Sequence, residues 1–197
     1  MTKGHKFDPK HIEILDSKHR EEILPKNLII SAIESICSLN GKTIADIGAG
    51  TGYFSIPFLE KVGENGEVIA ADISDEMLRV LTGKINSKDN LWIVHSTEEN
   101  IPISDSTVDL AFCCDLLHEL SGSGTLHEVL RILKKDGYFL VIDWDKKQSD
   151  FGPPLHVRIP KEKGISICKD LGFVFIKEFY AGKYHYGLAF RKSQSVK

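Results

Sequence analysis

The stretch that constrains this chain most is Thr43-Ile-Ala-Asp-Ile-Gly48-Ala-Gly50-Thr-Gly52-Tyr-Phe54. Residues 43–47 are short, apolar and partly β-branched, as a buried parallel strand should be. Glycines follow at 48, 50 and 52, and then an apolar segment that reads as a helix over 52–62. Glycine tolerates positive φ and has no Cβ, so the backbone here can lie directly against a ligand. A helix opening at this point is expected to direct free N–H groups at that ligand. One acid, Asp46, sits just before the turn.

Composition removes several alternatives. A chain of 197 residues is read as a single domain, with a helical arm over 1–40 and a core over 41–191. It is 42% hydrophobic and 27% charged, which is ordinary for a globular domain. A net charge of −3 with scattered Lys and Arg gives no nucleic-acid footprint. No apolar run reaches the roughly 18 residues of a membrane span. MTKGHKFDPK has no apolar core for a signal peptide. Cysteines 37, 113, 114 and 168 form no CxxC pair, so a reduced cytoplasmic protein is expected. No metal site is expected: His127-Glu128 is followed by Val-Leu-Arg, which breaks the HExxH spacing.

The remaining pattern alternates strand and helix. Residues 25–38, with Leu28, Ile29, Ala32, Ile33 and Ile36 at helical spacing, form an amphipathic helix. Glu67–Asp72, Leu91–His95, Val108–Cys114 and Tyr138–Trp144 read as further strands. Ser74 caps a helix carrying Met77, Leu78, Leu81 and Ile85, and Thr125 with Glu128 reads as a capping box. Lys135-Asp136-Gly137 reads as a turn, and 145–158 as a long polar loop. A helix from Pro160 and strands Phe173–Tyr180 and Tyr184–Arg191 close the chain. Only residues 181–183 join those strands, too few for a parallel crossover, so they pair as an antiparallel hairpin. The expected fold class is α/β: a Rossmann-like three-layer sandwich around a seven-stranded, mostly parallel sheet with an antiparallel last strand.

Two ligands compete for the glycine turn. A dinucleotide fingerprint needs G-x-G-x-x-G, and Tyr53 stands where the third glycine should be. No GK[ST] follows, so the phosphate-binding P-loop fails as well. A carboxylate at position 46 repels phosphate and attracts an ammonium. Asp72, 20 residues after Gly52, ends the second strand where an acid typically accepts from a ribose diol. A nucleoside with a cationic amino-acid tail satisfies both acids, and S-adenosylmethionine is such a molecule.

With DIGAGTG, Asp72 and the terminal hairpin, residues 40–191 resemble the class I S-adenosylmethionine-dependent methyltransferases. The segment ENIPISDSTVDLAF, followed by LLHEL, is similar to their ubiquinone/menaquinone C-methyltransferase-like branch. The resemblance implies a methionine site at Asp46, Gly48 and Gly50. It implies a ribose site at Asp72 and an adenine face at Ile73. Relatives often carry Asp-Ala where Thr97-Glu98 stand, so one of these two is expected at the adenine edge. Cys113 and Cys114 are expected beside the methyl group. They alternate across a strand and so point to opposite faces.

Methyl transfer needs alignment, and a protic nucleophile needs a base. Candidates at the ends of the fourth and fifth strands are Asp115, His118 and Asp143, with Glu119, Asp145 and His156 nearby. Phe7, Trp144, Phe151 and His156 are expected in the outer wall, which suits a small organic acceptor. A non-catalytic cofactor-binding module and a nucleotide-dependent oxidoreductase are the alternatives. Tyr53 and Asp46 argue against the second.

Overall fold

The computed structural model describes residues 7–85 and 89–193. Strands β1 (Thr43–Ile47), β2 (Glu67–Asp72), β3 (Leu91–His95), β4 (Val108–Cys114), β5 (Leu133–Trp144), β6 (Phe173–Phe179) and β7 (His185–Lys192) form a seven-stranded sheet of order β3-β2-β1-β4-β5-β7-β6. Strands β1 to β5 pair in parallel. β7 is antiparallel to both β5 and β6, as the short connection before it requires. The strand order reverses between β1 and β4, and in open α/β sheets ligands bind beside the carboxyl ends of strands at such a point.

Helices α1 (Lys18–Ile23), α2 (Lys26–Glu34), α3 (Ser55–Val62), α4 (Asp75–Gly83), α5 (Gly124–Ile132) and α6 (Lys161–Asp170) cover the sheet. One core joins Ile29, Ile33, Phe54 and Phe58 to Ile44, Leu110, Phe112 and Leu140. A second joins Leu126, Val129, Leu130 and Cys168 to Ala45, Ala111, Cys113, Val141 and Phe190. Alternate residues of β4 thus enter opposite cores, the expected strand alternation.

Local details differ from the sequence reading. The arm contains a 3-10 helix, Pro9–Asp16, before the short α1, and α2 ends at Glu34 rather than near 38. The capping box at Thr125 and Glu128 does not form. The Thr125 hydroxyl donates to the Glu98 carbonyl (3.0 Å), and Glu128 accepts from the Ile101 N–H (2.8 Å) and from Arg131. Tertiary partners from the 98–101 segment outcompete the helix's own end. Lys135-Asp136-Gly137 is a bulge inside β5 rather than a turn between elements. Val108 pairs with Leu133 but Leu110 with Tyr138, so residues 134–137 oppose Asp109 alone. Lys134 reaches back to the Asp109 carboxylate at 2.8 Å, and Asp136 takes φ +62°.

Candidate functional site

The glycine turn is built as a bend with its own internal hydrogen bonds. Gly48, Gly50 and Gly52 have φ of +72°, +55° and +85°. A Cβ at Gly52 would lie 2.3 Å from Leu81 Cδ1, so helix α4 packs into the space that the glycine leaves. The N–H groups of Gly48 and Ala49 both donate to the Ala71 carbonyl (2.8 and 3.0 Å). The Gly50 N–H donates to Asp72 Oδ2 (2.8 Å). Helix α3 starts only at Ser55. This corrects the expectation of a helix from residue 52 whose N–H groups face a ligand: the first N–H groups of the turn hold it to β2.

Asp46 is corrected in a similar way. It is 3% exposed and lies behind the turn, with Oδ2 accepting from Ser55 Oγ at 2.5 Å. It does not line the cavity in front of the turn. Burial pushes its carboxyl up to about 7; the Ser55 hydroxyl opposes this and the nearby Asp72 charge adds to it. Asp72 does line the cavity. Its Oδ1 accepts from the Ser74 N–H (2.8 Å), and burial raises its carboxyl against the pull of three backbone N–H groups, those of Ser74, Gly50 and Ile73.

In front of the turn lies a cavity of about 830 Å³. That is within the roughly 300–1,000 Å³ of small-molecule and cofactor sites. Gly48, Ala49, Gly50 and Thr51 line one side, and Asp72, Ile73, Ser96, Thr97 and Glu98 continue it along the ends of β2 and β3. Ile73 is 46% exposed, an apolar face beside the acid. Glu98 accepts from the N–H and hydroxyl of Ser121 (3.1 and 3.2 Å) and so ties this wall to the loop before α5. Cys114 lines the cavity, whereas Cys113 is buried in the core on the opposite face of β4. Burial holds both thiols well above their ordinary range, so neither is a thiolate.

The cavity also carries an ionisable cluster assembled from distant segments. Asp143 is fully buried at the end of β5. It accepts from the His118 N–H (3.0 Å), His118 Nδ1 (2.7 Å) and the Trp144 N–H (2.7 Å). His118 lines the cavity, and its Nε2 stands 4.0 Å from Glu119 Oε1. Burial alone would lower the imidazole, but Asp143, with Asp115 and Glu119 beyond it, raises it to about 9. Burial with Asp115 and Asp143 raises Glu119 to about 7, against the opposing pull of His118 and the Phe7 N–H. Asp115 also lines the cavity, between Arg20 Nη2 (3.2 Å) and His185 Nε2 (3.2 Å). Burial opposes its ionisation, but His185 and Arg20 outweigh that and hold it well below the usual carboxylate range.

The outer wall includes Phe7, Ile14, Leu15, Ile23, Trp144 and Phe151. Phe7, Trp144 and Phe151 therefore stand where the sequence places them, and His156 stands elsewhere. Three residues hold this wall together in roles that the sequence reading did not assign. The hydroxyl of Tyr53 lies 2.7 Å from Glu21 Oε2 and 2.8 Å from the Leu24 carbonyl, which anchors the arm over the turn. Arg20 stacks on the Tyr53 ring at 4.9 Å. Arg158, 3% exposed, donates to the carbonyls of Lys147, Phe151 and Pro153 and to Ser149 Oγ, and lies over Trp144 at 4.7 Å. It gives the 145–158 loop a fixed course. A tyrosine beside the glycines was a visible signal; nothing local marks the two arginines.

Comparison with known proteins agrees with this geometry. Residues 45–141 match the family model of the methyltransferase domain. A crystal structure of a SAM-dependent methyltransferase from Aquifex aeolicus superposes with a TM-score of 0.88 and 31% identity, covering 95% of this chain and all of that one. The chain belongs to the class I S-adenosylmethionine-dependent methyltransferases. Part of the chain is similar to ubiquinone/menaquinone biosynthesis C-methyltransferases. The Marinomonas ubiquinone/menaquinone biosynthesis C-methyltransferase is 33% identical over 114 residues, 56% of this chain and 45% of that protein. The Shewanella sediminis enzyme of that name is 31% identical over 122 residues, 60% of this chain and 49% of that protein. The chain thus spans about half the length of these curated relatives. The [4+2]-cyclase SpnF shares the fold at a TM-score of 0.69 and 16% identity, covering 84% of this chain and 79% of that one. The fold alone therefore does not name a reaction.

The cofactor of the family is S-adenosylmethionine, and the residues present fit it. The turn is open at Gly50, where an added Cβ would meet only Leu15 Cδ1, at 3.7 Å. Thr51 Oγ is buried in the same turn without a hydrogen-bond partner among the described residues. Among those residues no group of three or more His, Cys, Asp or Glu side chains is placed to hold a metal ion, and no helix is long and apolar enough to cross a membrane.

Proposed function

We propose that the protein transfers the methyl group of S-adenosylmethionine to a small, largely apolar acceptor that carries a hydroxyl group, of the ring type named for its quinone-biosynthetic relatives. The observation that carries this reading is the single cavity that runs from the glycine turn to the His118–Glu119 end. In it, Asp72 serves the ribose, Ile73 and the Ser96–Glu98 segment serve the base, and the Gly48 and Gly50 backbone permits close approach. Asp46 braces the turn from behind through Ser55. The residue facing the reacting centre from β4 is Cys114 rather than Cys113.

The cofactor supplies a sulfonium-bound methyl for in-line displacement, and the chain supplies alignment and a dry site. Alignment contributes roughly 7–11 kcal/mol in favourable cases. Asp143 fixes the His118 ring by taking both its Nδ1–H and its main-chain N–H. A histidine held at about 9 is a cation at neutral pH. Its Nε2–H is then available to an acceptor oxygen as negative charge develops there. Glu119, at about 7, is half ionised at neutral pH and suited to take up the hydroxyl proton.

A methyl-transfer assay with labelled cofactor on a panel of phenols, hydroquinones and amines tests this reading. Turnover is expected on hydroxyl-bearing rings, increasing with pH through about 7. Cofactor binding without turnover on any member, or turnover confined to amines, would refute it.

A further inference from the structure

The amino-acid end of the family's cofactor is a zwitterion, with a carboxylate and an ammonium on one carbon. The turn-side wall of the cavity carries a matched pair of opposite charges. Arg20, from α1 of the arm, is the one Lys or Arg that lines the cavity among the described residues. Its Nη2 stands 3.2 Å from Asp115 Oδ2, and the two side chains are 16% and 15% exposed. The guanidinium is held over the ring of Tyr53, which directly follows Gly52. Asp115 leaves β4 with φ +58°, in the left-handed region that aspartate and asparagine enter more readily than other non-glycine residues.

The pair is not complete by itself. Arg20 Nε and Asp115 Oδ1 are both buried without a hydrogen-bond partner among the described residues. His185 Nε2 lies 3.2 Å from Asp115 Oδ1 but is too poorly aligned to donate to it. Buried donors and acceptors are rarely left unpaired in a native protein, and each costs about 1–3 kcal/mol when it is. One spare donor on a cation and one spare acceptor on an anion, side by side, are complementary to a zwitterion. Asp46, the acid expected to meet the ammonium, is behind the turn.

We propose that the arm completes the cofactor site: Arg20 binds the carboxylate, and Asp115 the ammonium, of the amino-acid end. This rests on the family's cofactor occupying the glycine turn. Recognition then depends on a residue outside the 45–141 segment that matches the family model.

Calorimetry on the full chain with three ligands tests it. S-adenosylhomocysteine has both charges, its decarboxylated analogue keeps only the ammonium, and methylthioadenosine has neither. The wild-type protein should bind S-adenosylhomocysteine about ten- to a hundred-fold more tightly than the decarboxylated analogue, the range for a charge-assisted hydrogen bond. Arg20→Gln should abolish that difference and leave methylthioadenosine affinity within two-fold. Asp115→Asn keeps a residue that tolerates positive φ. It should weaken the two ammonium-bearing ligands alike and spare methylthioadenosine. A wild-type preference below about three-fold overturns the carboxylate assignment without any variant. Equal losses for all three ligands in the folded Arg20→Gln protein also overturn it. If the wild type binds neither S-adenosylhomocysteine nor methylthioadenosine, the reading of the turn fails as well, and the two failures are told apart.

Discussion

Asp143→Asn is the perturbation that the structure constrains most closely. Asp143 is fully buried and accepts three hydrogen bonds, two of them from His118. The variant keeps the volume but removes the charge and turns an NH2 toward N–H donors. Raising His118 from 6.5 to about 9 corresponds to about 3 kcal/mol in favour of its charged form. The sign follows from a folded pKa above the unfolded one. The contribution is fully present below pH 6.5 and is lost as pH rises through 9. Removing one partner of a buried pair costs about 3–5 kcal/mol, the same order. For a domain of this size each kcal/mol moves Tm by roughly 2–4 °C, so the variant should melt about 6–20 °C lower near pH 6.5. Thermal melts from pH 6 to 10, read beside the His118 ring resonances, provide the assay. The wild type should lose stability between pH 6.5 and 9. The gap to the variant should close over that interval, and His118 of the variant should titrate far lower. A variant that melts within about 2 °C of the wild type at pH 6.5, with His118 still titrating near 9, would refute the reasoning.

Three further outcomes are expected. Gly52→Ala places a Cβ 2.3 Å from Leu81 Cδ1 at φ +85°, and should cost about 2–4 kcal/mol in urea denaturation; a loss below about 1 kcal/mol would show that α4 yields freely. Tyr53→Phe removes the hydroxyl that contacts Glu21 and the Leu24 carbonyl, and should cost about 1–2 kcal/mol and hasten proteolysis of the arm before the core. Unchanged arm cleavage would dissociate Tyr53 from arm docking. Asp46→Asn removes a carboxyl held at about 7, whose ionisation weakens the fold as pH rises from 3.8 through 7. The variant should therefore gain on the wild type between pH 4 and pH 8, by a few kcal/mol in denaturant titrations; a pH-independent difference would contradict the burial of that charge.

Much of the frame was legible because it is written in local terms. The short apolar runs of β1 to β4, the helix cap at Ser74 and the short link before β7 each need only neighbouring residues to be understood. Gly48, Gly50 and Gly52 were readable because only glycine is at ease with φ between +55° and +85°. The errors fell where a local signal met a stronger distant partner. Thr125 and Glu128 have the capping-box spacing, yet the 98–101 backbone claims both. Asp46 has the right place in the motif, yet Ser55 and the α3 face of the sheet keep it behind the turn.

The sequence by itself determined the sheet, the glycine turn with Asp72 beside it, and the kind of ligand such a turn accepts. Only the tertiary structure decided what surrounds that ligand. It brought Arg20 to Asp115 and Asp143 to His118, residues far apart along the chain, and folded the arm over the turn through Tyr53. Those pairings arise from how the layers pack and from which buried charges must find partners. No periodicity or spacing along the chain records either.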